Sequence, residues 1–172
     1  MKFAVDCMLG KLAKWLRILG FDALYLPKAE DRELLLLARR EKRVLLTKDQ
    51  ELLRAAGNHP CLFVESDNWP EQVEQVLEAF RLREKARPHS RCLACNIELK
   101  KIPRGLAKNL VTPFVLERAQ SFAICPTCGR VFWPGTHFDD MDRKIVRILG
   151  RKEERPEICL KTGQKAGSRR SG

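Results

Sequence analysis

Along the first eighty positions the apolar residues keep two rhythms. Short, mostly apolar runs, "KFAVDC", "DALYL", "RVLLT" and "CLFVE", have the length and aliphatic content of strands buried on both faces. Between them lie stretches with helical spacing. In "MLGKLAKWLRILG" the residues Met8, Leu9, Leu12, Leu16 and Leu19 share one helical face, and Gly20 stands where a C′ glycine belongs. "AEDRELLLLARREK" is acidic in its first turn and basic in its last, as the helix macrodipole favours. "DQELLRAAG" is a short helix closed by Gly57, and "SDNWPEQVEQVLEAFRLRE" is a helix with Pro70 near its first position. Strands alternating with helices at this spacing predict an α/β fold, a parallel sheet flanked by helices. Neither a GxGxxG nor a P-loop motif occurs.

The rhythm breaks at "REKARPHSR", where the chain turns basic and Pro-containing. That stretch reads as a linker, which divides the chain into a domain over 1–82, a linker over 83–91 and a second module over 92–150. The tail, 151–172, lacks apolar periodicity and is expected to be disordered and basic. A chain of 172 residues has room for one good core and a small second module.

Charge changes the picture. The net charge of +11 is unevenly spread: residues 1–80 hold 12 Lys/Arg against 13 Asp/Glu, whereas residues 81–150 hold 14 against 6. A basic block beside a neutral domain suggests a polyanionic partner such as nucleic acid, the alternative being a solvated basic surface. The longest aliphatic run, Leu34 to Ala38, is far too short to span a bilayer, and Asp6 interrupts the N-terminus before any stretch of signal-peptide length. The expectation is a cytoplasmic protein with no membrane association.

Two pairs, Cys92-Leu-Ala-Cys95 and Cys125-Pro-Thr-Cys128, stand 29 residues apart. Four thiolates in two such knuckles suit a tetrahedral, closed, structural zinc site, and Gly129 allows the tight turn after the second. Disulfides are disfavoured in a cytosolic chain, and a thioredoxin-like redox pair needs only one such motif. Cys7 and Cys61 read as core thiols; Cys159 has no partner at ligand spacing. After the second knuckle, Phe132 reads as part of a small ribbon core. Trp133 and His137 are open between packing or capping and contact with RNA.

Acids follow the strands. Asp6 ends the first, Asp49 ends "RVLLT", Asp67 follows "CLFVE", and Asp31 opens a helix with Glu30 and Glu33 nearby. In a parallel sheet these fall at the carboxyl edge, where ligands of open α/β sheets bind. Asp31, Asp49 and Asp67 are equally good helix caps. Clustered carboxylates repel, and a hard divalent ion such as Mg²⁺ or Mn²⁺ would relieve that repulsion.

The segments "DCMLGKLAKWLRILGFD", "DRELLLLARREKRVLLTKD", "RCLACN" and "CPTCGRVFWPGTH" occur in the order found in the PIN-like ribonuclease family of the Mut-seven C-terminal domain. The resemblance covers roughly residues 1–150. It implies a PIN-like fold, a fused zinc ribbon, and metal-dependent cleavage of RNA to a 5′-phosphate and a 3′-hydroxyl. By position, Asp6, Asp31 and Asp49 would be the metal-binding acids and Asp67 a fourth. PIN domains often carry the second acid as a helical Glu, so Glu33 rivals Asp31.

Basic residues beside these acids, Lys11, Lys14, Arg17 and Lys48, are then candidates for holding phosphates, the alternative for Lys14 and Arg17 being a solvated helix face. Trp15 reads as packing. The reading is a Mg²⁺- or Mn²⁺-dependent ribonuclease with a structural zinc, acting on RNA, with tRNA, rRNA or the ribosome in view. The alternative is a non-catalytic RNA- or ribosome-binding protein with a vestigial pocket; a protein-interaction adaptor would lack salt-dependent RNA affinity.

Overall fold

In the computed structural model, which describes residues 1–134 and 138–150, the apolar runs of the first half form four parallel strands. These are β1 (Lys2–Val5), β2 (Asp22–Tyr25), β3 (Val44–Thr47) and β4 (Cys61–Phe63), arranged in the order β2-β1-β3-β4. The helices are α1 (Gly10–Ile18), α2 (Asp31–Arg40), α3 (Gln50–Ala56) and α4 (Trp69–Ala79). Both faces of the sheet are covered, which explains why β1 and β3 are uninterrupted apolar runs. Phe3, Val5 and Leu46 pack with α1 and α4, while Ala4 and Leu45 pack with α2 and α3. The chain leaves β1 in one direction to reach β2 and passes to β3 and β4 on the other side. The sheet therefore has its topological switch point between β1 and β3.

Buried Arg43 ties this layer together. Its guanidinium donates to Asp22 at 2.6 Å, to Glu41 at 2.7 Å and to the carbonyl of Phe3 at 3.2 Å. Burial tends to raise the Asp22 carboxyl, but hydrogen bonds from Arg43 and Asn96 bring it below the usual aspartate range.

The second module is a three-stranded antiparallel sheet, β5 (Lys100–Ile102), β6 (Phe122–Ile124) and β7 (Val131–Phe132). Two short helices, α5 (Arg104–Ala107) and α6 (Pro113–Arg118), lie between β5 and β6. Its small core is Ala107, Ala119 and Phe122, with Ile102, Val111, Val115, Leu116, Val131 and Trp133 against it.

Two segments differ from their sequence assignment. The linker assigned to 83–91 packs on the first domain: Ala86 is buried in the first core, and Arg87 and His89 donate backbone N–H groups to the carbonyls of Leu19 and Ile18. Gly20 makes the approach possible at φ +91°, because a Cβ there would lie 2.2 Å from the Arg87 carbonyl oxygen. Helix α7 (Phe138–Leu149), assigned by sequence to the second module, instead packs Ile145, Ile148 and Leu149 into the core beside α4. Its stripe Met141, Ile145, Ile148 and Leu149 needs more apolar surface than the small ribbon core supplies. Among the described residues no helix is long and apolar enough to cross a membrane. The tail assigned to 151–172, with Cys159, lies outside the described residues.

Candidate active site and cysteine cluster

Because β1 and β3 are neighbours, Asp6 and Asp49 emerge side by side at the switch point. The Asp6 N–H continues the ladder to the Leu46 carbonyl at 3.0 Å, and its side chain is 2% exposed. What makes that burial tolerable is Thr47, fully buried itself, whose hydroxyl donates to Asp6 Oδ2 at 2.6 Å. The same hydroxyl oxygen accepts the Asp49 N–H at 2.9 Å. One threonine thus holds both strand ends in register.

Asp49 is a helix cap: its Oδ1 accepts the N–H groups of Glu51 at 2.5 Å and Leu52 at 3.0 Å. That leaves Oδ2 without a hydrogen bond among the described residues, so capping and facing a ligand are compatible. Asp31 is the first residue of α2, and burial followed by the negative charges of Asp6, Asp49 and Glu51 holds its carboxyl above the ordinary aspartate range. Asp31 thus lies within electrostatic reach of Asp6, Asp49 and Glu51. Glu33 is exposed on α2, as are Asp31 and, on α3, Glu51; the exposed Asp67 carboxylate is paired with Lys48, which also donates to the Ser66 carbonyl at 3.3 Å. Among the described residues no ion pair reaches Asp6, Asp31, Asp49 or Glu51.

Glu51 escaped the sequence reading because it sits one step into a helix and not at a strand end. The "TKDQE" string carried the signal, since a capping Asp brings the residue two positions later beside its own carboxylate. Cys7 departs from its reading as a core thiol. It is exposed, and its thiol is raised by a hydrogen bond with Asp6, then by burial and by the charges of Asp6 and Asp31. The chain turns into a 3-10 segment there, Cys7–Leu9, which also leaves Met8 65% exposed. Cys61 packs on the second core as expected.

The basic candidates diverge. Lys11 and Lys14 are exposed on α1. Arg17 is committed to structure, donating to the carbonyls of Ala23 at 2.9 Å, Leu93 at 2.7 Å and Ala94 at 3.3 Å. Trp15 stacks on Trp69 with centroids 4.4 Å apart. The β7 alternation puts Val131 and Trp133 on the ribbon core, whereas Phe132 faces a cavity of about 270 Å³ that Trp133 also borders. His137 lies outside the described residues.

The sulfurs of Cys92, Cys95, Cys125 and Cys128 lie within 4.8 Å of one another. Tetrahedral zinc with Zn–S near 2.3 Å requires sulfurs about 3.8 Å apart, and Cys92 and Cys128 stand at 3.8 Å. The knuckles are built alike: the first cysteine donates to the residue five on (Ile97 or Arg130) and accepts from the residue four on (Asn96 or Gly129). That fourth residue is left-handed in each, Asn96 at φ 59° and Gly129 at φ 70°. The thiols share charge unequally. Cys95 is pushed up to about 12 by its hydrogen bond with Cys128 and by burial. Burial also raises Cys125, but the N–H groups of Cys128 and Thr127 carry it down to about 6. A bound zinc ion would be held by all four as thiolates. Asn96 further accepts the Ala23 N–H at 3.1 Å and donates to Asp22 at 2.7 Å, pinning the first knuckle to the edge strand β2.

The family profile of the Mut7-C RNAse domain matches residues 1–145, which takes in the sheet, the acids and both knuckles. The chain belongs to the Mut7-C RNase domain family. Among curated proteins, the exonuclease mut-7 homolog of Homo sapiens is 41% identical over 113 residues, 62% of this chain. The chain spans 13% of that relative's length. No solved structure matches the chain. Membership of the Mut7-C family and this relative support a nuclease role, and the four-cysteine cluster fits the zinc ribbon that the sequence suggests.

Proposed function

We propose that this Mut7-C domain is a Mg²⁺- or Mn²⁺-dependent ribonuclease whose active centre is the acid group at the switch point. The observation that supports it is that Asp31 lies within the fields of Asp6, Asp49 and Glu51, and that no ion pair reaches any of the four among the described residues. Asp6, Asp31 and Asp49 would hold the metal, and Glu51, better placed than Asp67, would serve as the fourth acid. The donors are all carboxylate oxygens, a hard set that fits Mg²⁺ or Mn²⁺. Unlike the sulfurs, no three of these acids close to within 4.8 Å of one another among the described residues, and Mg²⁺ suits such spacing because it keeps several waters and takes few carboxylates directly. When bound, the ion would generate a nucleophilic water and neutralise charge on the leaving oxygen.

The chain's own part is positional. Thr47 fixes the Asp6 carboxylate, the α3 N–H groups fix Asp49, and the β1–β3 ladder fixes the distance between them. Lys11 and Lys48 stand close in sequence to these acids and would steady phosphates. The ribbon, with zinc on Cys92, Cys95, Cys125 and Cys128, would grip RNA through its basic surface. The test is cleavage of a labelled structured RNA pool with Mn²⁺ by the wild type, Asp6→Asn, Asp49→Asn and Asp67→Asn, with zinc content measured throughout. Loss of cleavage in the first two variants but not in Asp67→Asn is expected. Salt-sensitive binding with no cleavage of any RNA would favour the non-catalytic RNA-binding reading.

A further inference from the structure

A solvent-open cleft of about 460 Å³ separates α1 and β2 from the cysteine knuckles, bordered by Gly10, Lys14, Arg17, Tyr25, Ala94 and Arg130. One end abuts the turn that follows Asp6. There the Tyr25 hydroxyl donates to the Cys7 carbonyl at 3.0 Å, an approach that depends on Gly10, since a Cβ would stand 2.7 Å from that hydroxyl. On the ribbon side stands Arg130, just beyond the second knuckle, whose carbonyl is fixed by the Cys125 N–H at 2.9 Å. Three cations border the cleft and no carboxylate does, and none of the three is in an ion pair among the described residues. Arg17 is held rigid by the carbonyls of Ala23, Leu93 and Ala94, so its charge cannot swing away.

We propose that this cleft is a phosphate track carrying the backbone of single-stranded RNA from the acid site to the ribbon, with Lys14 and Arg130 as its contacts. This rests on reading the chain as an RNA-acting protein and adds to it a path, a strand type and a residue, Arg130, that the sequence did not single out. Cations held together with no ion pair among the described residues keep much of their field, and a polyanion laid between them gains from it while releasing its own counterions. The volume suits the sugar-phosphate links of one strand. A duplex would instead present two backbones over a much broader face. The coupling of modules follows: Arg17 and Asn96 fix the first knuckle to α1 and β2, so the two banks of the cleft keep a constant separation.

The experiment measures equilibrium binding of a labelled single-stranded RNA and of its duplex to the zinc-loaded chain, without added Mg²⁺ or Mn²⁺, across a salt series. Lys14→Gln and Arg130→Gln are each expected to weaken single-strand binding about 5-fold at about 0.1 M salt and to flatten the log–log salt dependence by about 0.7. Their double variant should lose about 25-fold. Arg40→Gln, an exposed cation at the far end of α2, should change nothing. Unchanged affinity and salt slope in the zinc-retaining double variant would overturn the proposal, as would equal losses on duplex. Should Arg130→Gln shed zinc, the arginine is a counter-charge to the thiolates, and Lys14→Glu alone decides whether the track exists. Binding is read without cleavage, so an inactive protein that still shows these losses refutes the nuclease reading and leaves the track standing.

Discussion

Replacing Thr47 with valine keeps its shape and removes one oxygen, and that oxygen serves both strand ends. It donates to the carboxylate of an Asp6 that is 2% exposed, and it receives the Asp49 N–H. A hydrogen bond to a buried charge is worth about 1.5–3 kcal/mol, and orphaning the half-buried Asp49 N–H adds about 0.5–1 kcal/mol, so Thr47→Val should cost about 2–4 kcal/mol. Thr47→Ser keeps the hydroxyl and loses one buried methyl, a cost of about 1 kcal/mol. Urea unfolding of the zinc-loaded protein without Mg²⁺ or Mn²⁺ separates the two: with a slope of about 2 kcal/mol/M, the valine midpoint falls by about 1–2 M and the serine midpoint by about 0.5 M. Mn²⁺ affinity supplies a second readout. As an outer partner that orients Asp6, Thr47 should cost about 10–100-fold in affinity when replaced by valine and far less as serine. Valine tolerated as well as serine on both measures would refute the claim that this hydroxyl organises the site.

Three further outcomes follow from the same geometry. Asp31→Asn should raise the melting temperature of the metal-free protein at neutral pH while lowering Mn²⁺-dependent cleavage on the order of 10²-fold or more. The sign follows from a raised folded-state carboxyl: folding is unpenalised below the unfolded pKa, and stability is lost as pH rises through the raised value, while Mn²⁺ binding, which needs the ionised form, tightens over that window. Thermal melts and Mn²⁺ titrations across acidic pH check both halves. Asn96→Ala removes a left-handed asparagine and two bonds to β2, for about 2–3 kcal/mol, and should speed zinc loss to a chelator, read by zinc release kinetics. Gly20→Ala should destabilise the whole first core by about 2–4 kcal/mol in urea unfolding, because the backbone of 83–91 packs on that glycine; a free linker would leave only the strain of φ +91°.

By itself the chain's apolar rhythm determined the alternation of strands and helices, since period and length are local properties that survive any packing. The cysteine spacing likewise determined that two knuckles meet, because each short turn presents its sulfurs to one point. Asp6 and Asp49 were legible as strand-end acids. What the sequence left open was which of the strand-end carboxylates are neighbours, for that depends on strand order. The order β2-β1-β3-β4 puts Asp6 against Thr47 beside the strand end that leads to Asp49, with Asp31 within electrostatic reach, while Asp67 pairs with Lys48. Helix α7 shows the same limit: its stripe was readable, but only the relative size of the two cores decided which would take it. Periodicity acts along the chain, whereas neighbourhood across a sheet and competition between cores are settled by contacts between residues far apart in sequence.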